Sequence, residues 1–158
     1  MTDDKVTLAK EAALDKFRMS GPGHLNCSET VLSFGLAVLE GDPDLVLAAH
    51  YFGGGIARTG QMCGALTGAA ISLGLRDYLQ PSRDPGATAP TIERLTELIR
   101  GFKAELGAVA CIELTGHDMS VPGGHDRAKE AGALERCPLF VSWVCDRLAP
   151  MLGEPADH

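Results

Sequence analysis

The chain has 158 residues, 45% of them apolar, which suits one domain with a core large enough to fold without disulfide staples. Its 21 acidic and 14 basic residues give a formal net charge of −7, and no cluster of Lys and Arg exists to bind nucleic-acid phosphates. No apolar run approaches the roughly 20 residues that span a bilayer, and the opening Met1-Thr2-Asp3-Asp4-Lys5 lacks a signal-peptide layout, so a soluble cytoplasmic protein without membrane insertion is expected.

Helical periodicity runs through nearly the whole chain. Over residues 4–19, Val6, Ala9, Ala13 and Phe17 share one face. Gly21-Pro22-Gly23 ends that helix, and Asn26 with Glu29 three residues later reads as a capping box. The next helix, Cys27 to about Glu40, is apolar on most sides and is expected to be buried. Gly41-Asp42-Pro43 breaks it, and a short helix over Asp44–Tyr51 leads into a glycine-rich loop. A helix from about Met62 to Tyr78 carries Gly64, Gly68 and Ser72 on one face, where another backbone can approach closely. Residues 80–90 read as a polar loop with three prolines. In Thr91–Leu106 the spacing of Ile92, Leu95, Ile99, Phe102 and Leu106 predicts one apolar stripe. Residues 107–134 read as irregular, with a short turn at Cys111–Leu114. Pro138 suits a first helical position, which makes Cys137 the cap of a last helix ending near Leu152. No period-2 strand pattern appears. The expectation is an all-α single compact bundle of about five to six helices.

Five cysteines stand out: Cys27, Cys63, Cys111, Cys137 and Cys145. No two form a C-x-x-C pair, so a zinc ribbon or thioredoxin-type motif has no local support. In the cytoplasm, cysteines are more often catalytic or metal-binding than structural disulfides. Cys27 follows a capping Asn, Cys63 follows the glycine loop, Cys111 opens a possible helical turn, and Cys137 precedes Pro138. Free N–H groups at a helix start carry partial positive charge and favour thiolate over thiol. Four such ends, if they converge, suit an iron–sulfur cluster, another soft metal, or reversible disulfides. The residues leave these alternatives open. Cys145 lies in the apolar run Phe140-Val141-Ser142-Trp143-Val144 and reads as core.

The residues also carry a family pattern: Asn26-Cys27-Ser28; Phe52-Gly53-Gly54-Gly55 with Arg58 and Gly60; Cys63-Gly64-Ala65-x-x-Gly68; Cys111-x-Glu113-Leu114-Thr115-Gly116; and Cys137-Pro138-x-Phe140-Val141. In these pieces, from about residue 10 to 150, the chain resembles the C-GCAxxG-C-C family of redox-active proteins. It departs from the family's label in having Met62 before Cys63 and Gly64 after it. The resemblance implies redox activity or a cysteine-bound cofactor, with the shared cysteines at Cys27, Cys63, Cys111 and Cys137. A related domain accompanies haem in some split-Soret-type cytochromes, but no C-x-x-C-H haem attachment sequence occurs here.

Cys63 is the leading candidate for an exposed, reactive thiolate, with Arg58 in the same loop placed to lower its pKa or hold an anion. Gly53-Gly54-Gly55 matches neither a P-loop nor a dinucleotide fingerprint and reads as a tight turn. Among the histidines, His24 near Cys27 and His117 near Cys111 could complete a mixed site, while His50, His125 and His158 have no metal spacing. Glu29 reads as a capping residue rather than a general acid. The expected partner is a redox protein or a small thiol or electron carrier. The small-residue and apolar faces also admit a homodimer. Rival readings are a soft-metal-binding module without turnover and a helical partner-binding domain with incidental cysteines.

Overall fold

The computed structural model describes residues 2–79 and 88–153. Among them the chain forms seven α-helices and one 3-10 helix: α1 (Asp3–Arg18), α2 (Cys27–Leu39), the 3-10 helix Pro43–Phe52, α3 (Gly64–Leu79), α4 (Ala89–Leu106), α5 (Cys111–Thr115), α6 (Gly124–Glu130) and α7 (Cys137–Gly153). The all-α expectation holds. The helix number is higher than expected because α5 and α6 lie inside the 107–134 segment read as irregular, and helices that short carry no periodic signature. The only bridge among the described residues is the isolated antiparallel pair Met62–Ala110. Most of the proline-containing loop expected over 80–90 lies outside the described residues; Ala89 and Pro90 already belong to α4.

Helix α2 is central, packed by α1, α3, α7 and the 3-10 helix. Its Val31, Leu32, Phe34 and Leu36 are buried, as are Ser28, Glu29 and Thr30. Glu40 ends it in the left-handed conformation (φ 53°). The α2–α3 pairing depends on missing side chains. A Cβ at Gly35 would overlap the Ser72 hydroxyl, and one at Gly68 would lie 2.6 Å from the Ser28 carbonyl oxygen. The small-residue face of α3 is therefore occupied by α2 within the chain.

Helix α4 keeps most of the predicted stripe, with Phe102 buried and Leu95, Ile99 and Leu106 packed half-buried against the core, and departs from it at Ile92. Ile92 is 60% exposed, whereas Leu98 and Phe102 are the buried pair. Phe102 meets Phe140 and Trp143 of α7 edge-on, with centroids 5.9 and 5.4 Å apart, so the i, i+4 pair 98/102 sets the contact row. Buried Arg76 ties three helices, donating to the Met151 carbonyl (2.6 Å) and the Thr91 hydroxyl (2.8 Å). Lys10 of α1 pairs with Asp146 of α7 at 2.6 Å. Among the described residues no helix is long and apolar enough to cross a membrane.

Candidate four-cysteine site

Asn26 builds the first corner. Its side-chain oxygen accepts from the Ser28 and Glu29 amides, both at 3.0 Å, and its own amide donates to Glu29 Oε2 at 2.8 Å. This capping box fixes Cys27 as the first residue of α2. Cys27 then rests against the start of α3: a Cβ at Gly64 would overlap its sulfur, so only glycine fits there. The backbone N–H groups of Gly54, Ser28 and Gly64 are directed at that sulfur and favour its ionised form.

The glycine loop supplies the second corner. Gly54, Gly55, Ile56, Ala57 and Arg58 are all left-handed, with φ of 66°, 73°, 63°, 50° and 63°. The turn is stitched by Gly60 N–H to Gly54 O (3.1 Å) and Gln61 N–H to Gly55 O (2.9 Å). The expected tight turn is there, but three of its left-handed positions are not glycine. Each costs roughly 1–2 kcal/mol. Strain of this kind persists only where the surroundings over-determine it.

Beyond the turn the chain pairs with the segment before α5. Cys63 N–H donates to Val109 O (2.8 Å), Cys111 N–H to Gln61 O (2.6 Å) and Ile112 N–H to Gly60 O (3.1 Å). Met62 and Ala110 face one side of this short ribbon, and alternation turns Cys63 and Cys111 to the other. Cys63 stands just before α3, its carbonyl accepting from Leu66 and Thr67. Cys137 is the first residue of α7, rather than its cap, and is half-buried like Cys27.

The electrostatics tie the four together. Burial pushes the Cys63 thiol well above its ordinary value, and negative charge on Cys27, Cys111 or Cys137 pushes it further. Burial raises Cys111 to about 11, with Cys27 adding to the rise. It raises Cys137 to about 12, with Cys27 and Cys111 adding and Arg136 opposing. For Cys27 burial again raises the pKa, opposed by the backbone N–H groups. Every pair among the four thus interacts. Cys145 stands apart; burial raises it to about 12, and its charged neighbours are Asp146 and Lys10.

Two expectations change here. Cys63 is 5% exposed, so the helix start does not yield an open, activated thiolate; loss of solvent outweighs the dipole. Arg58 is exposed, and its charge acts on His125, whose pKa is lowered mainly by burial and then by Arg58. His24 is engaged with the Met19 carbonyl (3.1 Å) and His117 with the Thr115 carbonyl (3.0 Å). What the sequence reading missed is the role of Gly54 and Gly64 around Cys27; the direct Cys63-Gly64 adjacency was the available signal.

All five cysteines are free thiols. Among the described residues no group of three or more His, Cys, Asp or Glu is placed to hold a metal ion as it stands. The donor chemistry of four coupled thiols with backbone N–H groups around one sulfur nevertheless fits a soft metal or iron–sulfur group.

The fold is all-α, with Cys27, Cys111 and Cys137 each opening a helix and Cys63 immediately before one. Over residues 25–151 the chain matches the family described as "Putative redox-active protein (C_GCAxxG_C_C)", and it belongs to that family. No curated protein and no solved structure is significantly similar to it.

Proposed function

We propose that the protein carries electrons at a site formed by Cys27, Cys63, Cys111 and Cys137, which together hold an iron–sulfur cluster. The carrying observation is the mutual coupling of these four thiols on elements joined by the 60–63/109–112 ribbon and the Cys27–Gly64 contact. Buried neutral thiols are poor nucleophiles, and a cationic group offsets the repulsion that builds as they ionise. Bound there, an iron–sulfur cluster supplies reversible one-electron transfer. The chain's own contribution is to order four sulfurs on binding, to aim the Gly54, Ser28 and Gly64 N–H groups at one of them, and to exclude water from Cys63. The partner on this reading is a one-electron carrier protein.

A second reading, thiol–disulfide exchange, draws on Cys27 alone. It is half-buried and surrounded by N–H donors, and its charge raises the other three. On that reading Cys27, not Cys63, attacks.

Iron, acid-labile sulfide and the visible spectrum of anaerobically purified protein decide between the two. Iron with sulfide and a brown chromophore, lost in Cys63→Ser and kept in Cys145→Ser, is the expected result. Metal-free protein that forms disulfides among these four on mild oxidation would replace the cluster reading with the exchange reading.

A further inference from the structure

The corner that holds Cys27 is pinned from several sides. The Asn26–Glu29 capping box fixes the start of α2, Asn26 Nδ2 donates to the His50 carbonyl at 2.8 Å, and Glu29 Oε1 lies 2.7 Å from His50 Nδ1. Gly53 packs so tightly on Asn26 that a Cβ would lie 2.8 Å from its Cγ. Against this corner sits the first turn of α3. Ser28 Oγ lies 3.3 Å from Thr67 Oγ1, and a Cβ at Gly68 would come within 2.6 Å of the Ser28 carbonyl oxygen. The Cys27 sulfur is pressed onto Gly64, where even a methyl group would overlap it, and the residue directly before Gly64 is Cys63.

The two thiols face different surroundings. Cys27 keeps solvent contact, and the N–H groups of Gly54, Ser28 and Gly64 favour its ionised form. Cys63 is 5% exposed and lies in the main core, and Cys27 packs against that same cluster. Cys111 belongs to a separate small cluster with Met119 and Ala128. Of the other three thiols of the site, Cys27 is the one whose charge acts most strongly on Cys63. Cys137 also keeps solvent contact, but its ionised form is favoured by Arg136 alone. A reagent from solvent therefore meets Cys27 first, and the thiol behind it is Cys63.

We propose that the site reacts with small-molecule disulfides, with Cys27 as the attacking thiol and Cys63 as the thiol that resolves the mixed disulfide. The inference rests on the exchange reading above and names its substrate class and its pair. The Cys27 thiolate attacks one sulfur of an external disulfide RSSR, whose S–S bond breaks, and RS⁻ leaves. The Cys63 sulfur then attacks Cys27 Sγ, the Cys27–Cys63 bond forms, and the second RS⁻ leaves. The protons given up by Cys27 and Cys63 go to the two leaving thiolates. Two electrons pass from the cysteine pair to the external disulfide, which becomes two thiols. The substrate is small because Cys27 is half-buried between the Asn26–Gly53 contact and Gly64. A narrow disulfide arm reaches a sulfur so placed, and a disulfide within a folded protein does not.

The test uses the reduced, metal-free protein with oxidised glutathione as the probe. After quenching and alkylation, peptide mass spectrometry maps the bonds, and the released glutathione is counted. Wild-type protein should form the Cys27–Cys63 disulfide and release two glutathione thiols per chain. Cys63→Ser should stop with glutathione retained on Cys27 and one thiol released. Cys27→Ser should lose the reaction at Cys63, and Cys145→Ala should react as the wild type does. The wild-type map stands by itself, whether or not a variant folds. A bond from Cys27 to Cys111 or Cys137, or glutathione retained on Cys27 in the wild type, would overturn the pairing and leave the exchange reading intact. Thiols that ignore oxidised glutathione but form disulfides on mild oxidation by another reagent would overturn the substrate class alone. Thiols that resist both would overturn the exchange reading and this inference with it.

Discussion

At the scale of single residues, the least ordinary feature is the left-handed run Gly54–Arg58. Glycine accounts for its first two positions at no steric cost, but Ile56, Ala57 and Arg58 hold φ values of 50–63° against their Cβ atoms. Tight surroundings hold the turn in place: a Cβ at Gly54 would lie 2.9 Å from Arg58 Cα, and one at Gly55 would overlap the Gln61 backbone. Ala57 is exposed, so its side chain contributes little burial to offset the strain. Replacing it by glycine removes the Cβ clash but gives the unfolded chain more freedom. The balance predicts that Ala57→Gly stabilises the protein by about 0.5–1 kcal/mol, whereas glycine at an ordinary exposed position costs about that much. Urea unfolding of the two proteins checks it; a loss of stability would mean the left-handed run is not strained.

At the scale of elements, α2 was legible because its start and its faces obey local rules. Asn26 and Glu29 form the capping box their spacing predicts. Helix α4 was legible in extent and in most of its stripe; the sequence pattern wrongly included Ile92 and left out Leu98. A heptad-like reading selects Ile92, yet α4 does not form a long seam; it crosses α7 at Phe140 and Trp143 through the predicted Phe102, and Leu98 is buried one turn earlier. The contrast is testable by substitution. Leu98→Ala should cost about 2–4 kcal/mol, because it empties a buried position, and Ile92→Ala under about 0.5 kcal/mol. Equal costs from thermal or urea unfolding would refute the crossing. The site itself was half legible. Placement of four cysteines at helix starts follows from local signals, but the pairing of the segments that carry Cys63 and Cys111 depends on the ribbon between 60–63 and 109–112. That ribbon is made by backbone groups and leaves no side-chain pattern to read. The left-handed turn and the Glu29–His50 pair escaped for a related reason: each depends on groups distant in sequence or on backbone angles that non-glycine residues rarely take.

At the scale of the whole molecule, the five thiols form a store of unfavourable ionisation. The folded metal-free protein keeps them neutral, with Cys111 raised to about 11, Cys137 and Cys145 to about 12, and Cys27 and Cys63 raised as well. In the unfolded chain each ionises near its ordinary value of 9.0. Below that pH both states hold the thiol protons, and stability does not depend on them. Above it the unfolded chain releases protons that the folded chain retains, so the stability these groups contribute falls as pH rises toward 11–12. Each thiol removes about 1.4 kcal/mol per pH unit in that window. Several acting together would exhaust the 5–15 kcal/mol of a typical domain within about two units. The reduced, metal-free protein should therefore hold its urea midpoint up to about pH 8.5 and lose it steeply between about pH 9 and 11. A flat profile across that window would mean the thiols are not held neutral in the folded state. On the cluster reading the loaded protein behaves differently, because ligated sulfurs bind no protons in the folded state. Stability then rises with pH while the unfolded thiols still hold their protons, and levels off above about pH 9. Measured on the same preparation before and after removal of the cluster, the loaded form should gain stability below about pH 9, where the metal-free form is flat, and hold it above about pH 9, where the metal-free form loses it; two coincident profiles would count against sulfur ligation.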